Sequence, residues 1–253
     1  MLNQSPFCAA PDPGRDKMKE IPIIVLALLL CFPVVSSSQS DYESLGAEAY
    51  EAGDYIRAYQ AWLVLAEEGD PDPQYWIASM LDEGVGVERN SQEAFKWYMK
   101  AAEQGHPPAQ NDLGLIYEKG VGVEQDFDAA FKWIEKAALQ GFEEAECNLG
   151  TMFEQGRGTT RDYEKAVAWY VKAARQGSLR AMTNLGGMFY RGFGVDRNPG
   201  EAARLYRIAA ERGYGPAQYN LGSLYKNGEG VRLDPKEAEK WIDSAEKQGY
   251  FGD

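Results

Sequence analysis

Three cysteines (Cys8, Cys31 and Cys147) and one histidine (His106) are the whole supply of thiol and imidazole ligands in 253 residues. His106 stands in the turn Gln104-Gly105-His106-Pro107 with no cysteine or second histidine beside it, so no metal site is expected. Basic charge is also scarce. The chain carries 26 Lys and Arg against 39 Asp and Glu, a net charge of -13. The first forty residues hold three of each sign, so the whole excess belongs to the remainder and offers no cationic footprint for nucleic acid. Gly-x-Gly occurs five times, yet no copy continues into the Lys and Ser/Thr of a phosphate-binding loop, and no cofactor is expected. Carboxylate pairs such as Glu143/Glu144 sit where helices begin, where acid complements the helix dipole, so no catalytic residue is assigned.

What is present repeats. The pair Gly84/Gly86 returns as Gly120/Gly122, Gly156/Gly158, Gly192/Gly194 and Gly228/Gly230, a step of 36 residues, and a second series runs from Gly69 and Gly105 to Gly249. A period in this range marks a solenoid.

One unit shows why these residue types recur. Ala109, Leu113, Ile116 and Tyr117 form an apolar stripe on a first helix, helix A, which Gly120 ends. Asp126 caps the second helix, helix B, whose buried face reads Ala130, Trp133, Ile134, Ala137 and Ala138. Asn90 with Glu93 forms a capping box, and Asn198-Pro199 and Asp234-Pro235 place proline at the first helical position. Gly114, Gly150, Gly186 and Gly222 stand inside helix A at a cost of up to about 1 kcal/mol each, which implies close approach of helix B through pairs such as Ala137/Ala138. Trp97, Trp133, Trp169 and Trp241 are expected to fill the gap between neighbouring pairs.

The pattern A-x-x-x-L-G-x-x-Y-x-x-G-x-G-V, then D-x-x-x-A-x-x-W, then A-A-x-x-G, resembles the SEL-one-like repeat, a relative of the tetratricopeptide repeat. The resemblance implies an all-α, right-handed α-α superhelix, a solenoid of antiparallel helix pairs used as a protein-binding scaffold. Repeats are expected over 72–106, 107–142, 143–178, 179–214 and 215–250, after a degenerate tetratricopeptide-like unit at 41–71. The last copy replaces apolar columns by Glu239 and Glu246, as a capping repeat requires.

Residues 1–40 do not follow the repeat. Ile21 to Val35 is an apolar run of fifteen, preceded by Lys17 and Lys19 and followed by Ser36-Ser37-Ser38, the grammar of a signal peptide with cleavage after Ser38. Pro22 and Pro33 shorten a run already below the roughly 20 residues of a spanning helix. Translation starting at Met18 would give an ordinary short signal, and membrane attachment is expected only if the segment stays uncleaved. Export to the periplasm or the exterior follows. Cys147 is then the only cysteine left, so the disulfide staples of cysteine-rich secreted relatives are absent.

Within helix A, three columns vary from copy to copy: Tyr75/Asn111/Cys147/Thr183/Tyr219, Ser79/Leu115/Thr151/Gly187/Ser223 and Asp82/Glu118/Glu154/Tyr190/Lys226. Packing positions must repeat and solvent positions need not, so these columns are expected to be open. In the superhelix that the resemblance implies, helix A lines the inner surface. Tyr75, Leu115, Tyr190 and Tyr219 then supply anchors of a groove, with Asp82, Glu118 and Glu154 at its acidic end. The expected function is a non-catalytic exported scaffold binding a protein or peptide. The alternatives are a cell-wall or β-lactam-directed enzyme and a membrane-anchored adaptor of the secretory pathway.

Overall fold

The computed structural model describes residues 39–252. Twelve helices follow one another: α1 (Gln39–Glu51), α2 (Tyr55–Glu68), α3 (Pro71–Glu83), α4 (Ser91–Glu103), α5 (Pro107–Lys119), α6 (Phe127–Leu139), α7 (Glu143–Gln155), α8 (Tyr163–Gln176), α9 (Leu179–Arg191), α10 (Pro199–Glu211), α11 (Gly215–Asn227) and α12 (Pro235–Glu246). Each odd helix pairs with the even helix after it, and each even helix packs on the next odd one, so sequence neighbours are the spatial neighbours of an α-α solenoid. No described helix is long and apolar enough to cross a membrane. The apolar run of the leader and its cleavage point lie outside the described residues.

The helix ends explain the repeat spacing. Asn90, Asp126, Asp162, Asn198 and Asp234 accept backbone N–H bonds at the starts of the B helices, each worth about 1 kcal/mol. Gly156 closes α7 in the left-handed conformation. Two residues on, Gly158 is also left-handed, at φ +63°, and a Cβ there would strike the carbonyl of Phe127, the first residue of α6. Gly86, Gly122, Gly194 and Gly230 lie in the same way on Tyr55, Ser91, Tyr163 and Pro199. The second loop glycine is therefore the point where one repeat rests on the backbone of the repeat before it.

The mid-helix glycines do admit helix B closely: a Cβ on Gly114 or Gly222 would meet Ile134 or Ile242 and lie about 3 Å from the Ala130 or Ala238 carbonyl. A Cβ on Gly150 would lie 2.7 Å from the ring of Tyr170, and one on Gly186 would lie 2.6 Å from that of Tyr206. Tyr170 is completely buried. The helix-propensity cost, about 1 kcal/mol, makes room for a buried ring that contributes more than that. The degenerate first unit keeps the device, with Gly46 under the Trp62 indole.

The tryptophans fill the gap between neighbouring pairs only in part, with Trp97 in the core and Trp133, Trp169 and Trp241 packing against it from half-buried positions. Trp97 is 7% exposed, while Trp133, Trp169 and Trp241 are only half-buried. Each of Trp97, Trp133 and Trp169 instead carries a lysine from one turn on, with Lys100, Lys136 and Lys172 at 3.6, 3.8 and 3.6 Å from the ring centroids. The lysine stem covers the ring and the ammonium meets its negative face.

A buried glutamine clamp joins successive repeats. Gln110 donates to the Ala102 carbonyl at the end of α4 (3.0 Å) and accepts from Gln140 (2.7 Å). Gln74 with Gln104, and Gln218 with Gln248, reproduce it. Repeat four has Met182 at this position, and there the partly exposed Ala174 keeps only the backbone bond from the Gly177 N–H (3.1 Å) at its carbonyl. Glu239 and Glu246 are exposed.

Candidate functional site

Side-chain bonds that span one repeat run mainly along helices A and the loops after them and tie the A row together. Tyr75 of α3 donates to Asp112 of α5 (3.2 Å), Asn111 donates to Asp112 (3.1 Å), Asn148 of α7 donates to Asn111 (2.8 Å), and Arg180 of α9 donates to Asn148 (2.6 Å). This polar chain crosses four A helices.

The three variable columns are thus not solvent positions in the middle of the molecule. Asn111, Cys147, Thr151 and Thr183 are buried, and Glu118 is only 5% exposed. They vary because each is fitted to a different neighbour. Glu118 is held by Arg157 (2.6 Å), and Glu154 by Arg191 (3.1 Å) and the Tyr170 hydroxyl (2.7 Å). The acidic end expected of Glu118 and Glu154 is consequently neutralised by the next repeat. Asp82 accepts from Ser91 and lies 3.8 Å from Arg89. Tyr190 donates to Glu229 (2.6 Å), a bond that raises its own hydroxyl pKa. Leu115 is half-buried against the central core. Tyr219 meets Tyr250 edge-on at 5.8 Å and is overlain by Gly252, so its ring is covered by the chain itself. The seven residues share one wall, but most of their polar atoms are engaged within the fold.

The surface left open lies one column over. Trp76, Asp112, Asn184 and Asn220 of this column are half-buried, while Asn148, between Asp112 and Asn184, is buried at 6% exposure. One signal marked this column in the sequence: asparagine recurs mid-helix at Asn148, Asn184 and Asn220, where its propensity is poor.

Asp112 has the least comfortable environment on this wall. Burial pushes its carboxyl up to about 6, with Glu144 and Asp82 adding to the rise and the bonds from Asn111 and Tyr75 opposing it. The ring of His106 stacks on Tyr75 (4.9 Å). His106 caps α5 through Nδ1, which accepts from the Ala109 N–H (3.1 Å), while Nε2 faces Asp72 at 3.1 Å. Burial lowers the His106 pKa and Asp72 offsets part of that fall. Among the described residues no three His, Cys, Asp or Glu side chains gather to hold a metal.

A profile of the Sel1 repeat matches residues 74–106, 107–142, 143–178, 179–214 and 215–250. A Sel1 repeat protein from Oxalobacter formigenes is 37% identical, with 83% of each chain covered and a TM-score of 0.79. A protective antigen present in uropathogenic Escherichia coli strains, described as displaying the SLR fold, is 34% identical with a TM-score of 0.78; the match covers 85% of this chain and 47% of that one. An immunity protein from Pseudomonas aeruginosa shares the fold at 19% identity and a TM-score of 0.53. No curated protein matches the sequence.

Proposed function

Since the chain belongs to the Sel1 repeat family, we propose that it is an exported, non-catalytic scaffold that binds a protein or peptide along the inner wall of its A helices. The observation that carries this reading is the polar network that ties successive A helices together from Tyr75 through Asp112, Asn111 and Asn148 to Arg180, beside the half-buried Trp76, Asn184 and Asn220. A wall that is rigidly tied together behind an open polar and aromatic row presents little entropy to lose on binding. Export rests on the leader alone, with its basic start, apolar run and small residues before Gln39.

Gly187 lies half-buried on the same wall, in the column next to the open row, and only the flexible end of Arg191 crowds a Cβ placed there. Gly187→Trp therefore blocks the wall without opening the core. Leu139→Trp, on the outer face of α6 where Leu139 is 70% exposed, is the control. Capture of a partner from the periplasmic or extracellular fraction is expected to be lost in the first variant and kept in the second. Equal capture by both would remove the inner wall from consideration. Mass spectrometry of the exported protein is expected to find Gln39 as its first residue.

A further inference from the structure

The cations of the folded chain are sorted by row. Helices α1, α3, α5 and α7 contain Lys119 as their only Lys or Arg, whereas α4, α6 and α8 contain two, two and three. Three of these form a ladder. Lys100, Lys136 and Lys172 occupy the same place in successive B helices, and each ammonium sits on the tryptophan one turn before it. All three lysines are exposed, and none pairs with a carboxylate among the described residues. The ladder has ends, because the half-buried Val64 and Ile208 stand at this position in α2 and α10. Resting on a ring restrains a side chain that otherwise loses much rotamer freedom on binding, so the three ammoniums are held ready at the repeat spacing. The neighbours of the ladder restrict what can lie on it. Glu93 is held by Lys96, but Glu103, Asp128 and Glu164 are exposed on the same three helices. A densely charged polyanion or an anionic bilayer would meet these carboxylates as well as the lysines. Leu139 and Phe127 are the only large apolar side chains exposed on α4, α6 and α8, too few for insertion into a membrane.

We propose that the exposed face of α4, α6 and α8 is a binding surface separate from the A row, and that it takes an acidic peptide segment carrying one carboxylate per repeat. Neighbouring helices pack about 8–10 Å apart, so successive rungs are on the order of 10 Å apart. A polyproline II segment rises about 3.1 Å per residue with three residues per turn, so acidic side chains at every third position fall on one side, about 9 Å apart. They meet Lys100, Lys136 and Lys172 in turn, with uncharged residues between them. A lysine is a compact point charge, which takes a single carboxylate without demanding a fixed orientation. Exposed pairs of this kind are individually weak and screened by salt, so selectivity comes from the match of spacing across three rungs.

The test uses two fluorescein-labelled nonapeptides of one composition. In the first, Glu-Pro-Pro is repeated three times; in the second, three glutamates precede six prolines. The spaced peptide is expected to bind about tenfold more tightly at low salt, with the difference gone at about 1 M salt, where the Debye length is about 3 Å. Lys100→Gln, Lys136→Gln and Lys172→Gln together are expected to erase the preference. The corresponding triple change to Glu is expected to reverse the charge read, so that this variant prefers a peptide of three Lys-Pro-Pro units. Circular dichroism on each variant separates loss of binding from loss of fold. Gly187→Trp, on the A row, is expected to leave the peptide preference intact, so failure of this proposal and failure of the A-row reading are distinguishable. Equal binding of the two peptides, binding of neither, or a preference that survives the triple Gln change would each overturn the proposal. Lysine-dependent binding of dextran sulfate or of phosphatidylglycerol vesicles, with no preference between the peptides, would overturn it in favour of a surface that reads charge density alone.

Discussion

Asp112 and His106 make opposite contributions to the pH dependence of folding. Asp112 titrates at about 6 in the fold against 3.8 ordinarily. Between those values the folded state holds the extra proton, so this residue's contribution to stability falls as pH rises from about 4 to about 6. Asp112→Asn keeps an oxygen to accept from Tyr75 and removes the charge. It is expected to stabilise the chain at pH 7 by on the order of 1 to 3 kcal/mol and by little at pH 4, read from urea midpoints at the two pH values. His106 works the other way. Its pKa is lowered in the fold, so the unfolded chain takes the proton first and stability is lost as pH drops below the ordinary 6.5. Protonation also removes the Nδ1 lone pair that caps α5. His106→Asn preserves a capping acceptor and is expected to abolish that acid-side loss.

Single helices and loops were largely legible from residue type. The B-helix caps from Asn90 to Asp234 and the left-handed closure by Gly120 stand where capping chemistry puts them. What escaped notice is the glutamine clamp. A glutamine in helix A reads as a surface residue unless the carbonyl it serves is known, and that carbonyl belongs to the previous repeat. The variable columns misled for a related reason. Columns holding cysteine, threonine and asparagine, in a chain so rich in Glu and Asp, were a signal of fitted contacts rather than of solvent. Gln110→Met copies the arrangement of repeat four and removes both clamp bonds, leaving the buried Ala102 carbonyl its backbone bond from Gly105 (3.0 Å). Thermal unfolding is expected to show a loss of about 1–3 kcal/mol; no shift would mean the clamp does not couple the repeats. Gly158→Ala combines a strained φ with a backbone collision and is expected to cost about 1–3 kcal/mol, which chemical denaturation would resolve.

At the scale of the whole molecule, stability is a sum of repeats and the junctions between them. The central core joins α6 to α9 through Ile134, Leu149, Tyr170 and Met188, all fully buried. The first pair leaves Tyr50, Tyr55 and Ile56 exposed and has a buried Trp62 indole N–H with no acceptor among the described residues. Amide hydrogen exchange is therefore expected to be slowest in α6 to α9 and fastest in α1, α2 and α12. Uniform protection along the chain would mean that the repeats unfold as one unit. Since the second glycine of every loop seats on the first turn of the preceding B helix, the pitch of the coil is set step by step. Changing that glycine in one loop would alter the curvature at that step alone, and with it the angle between two adjacent repeats.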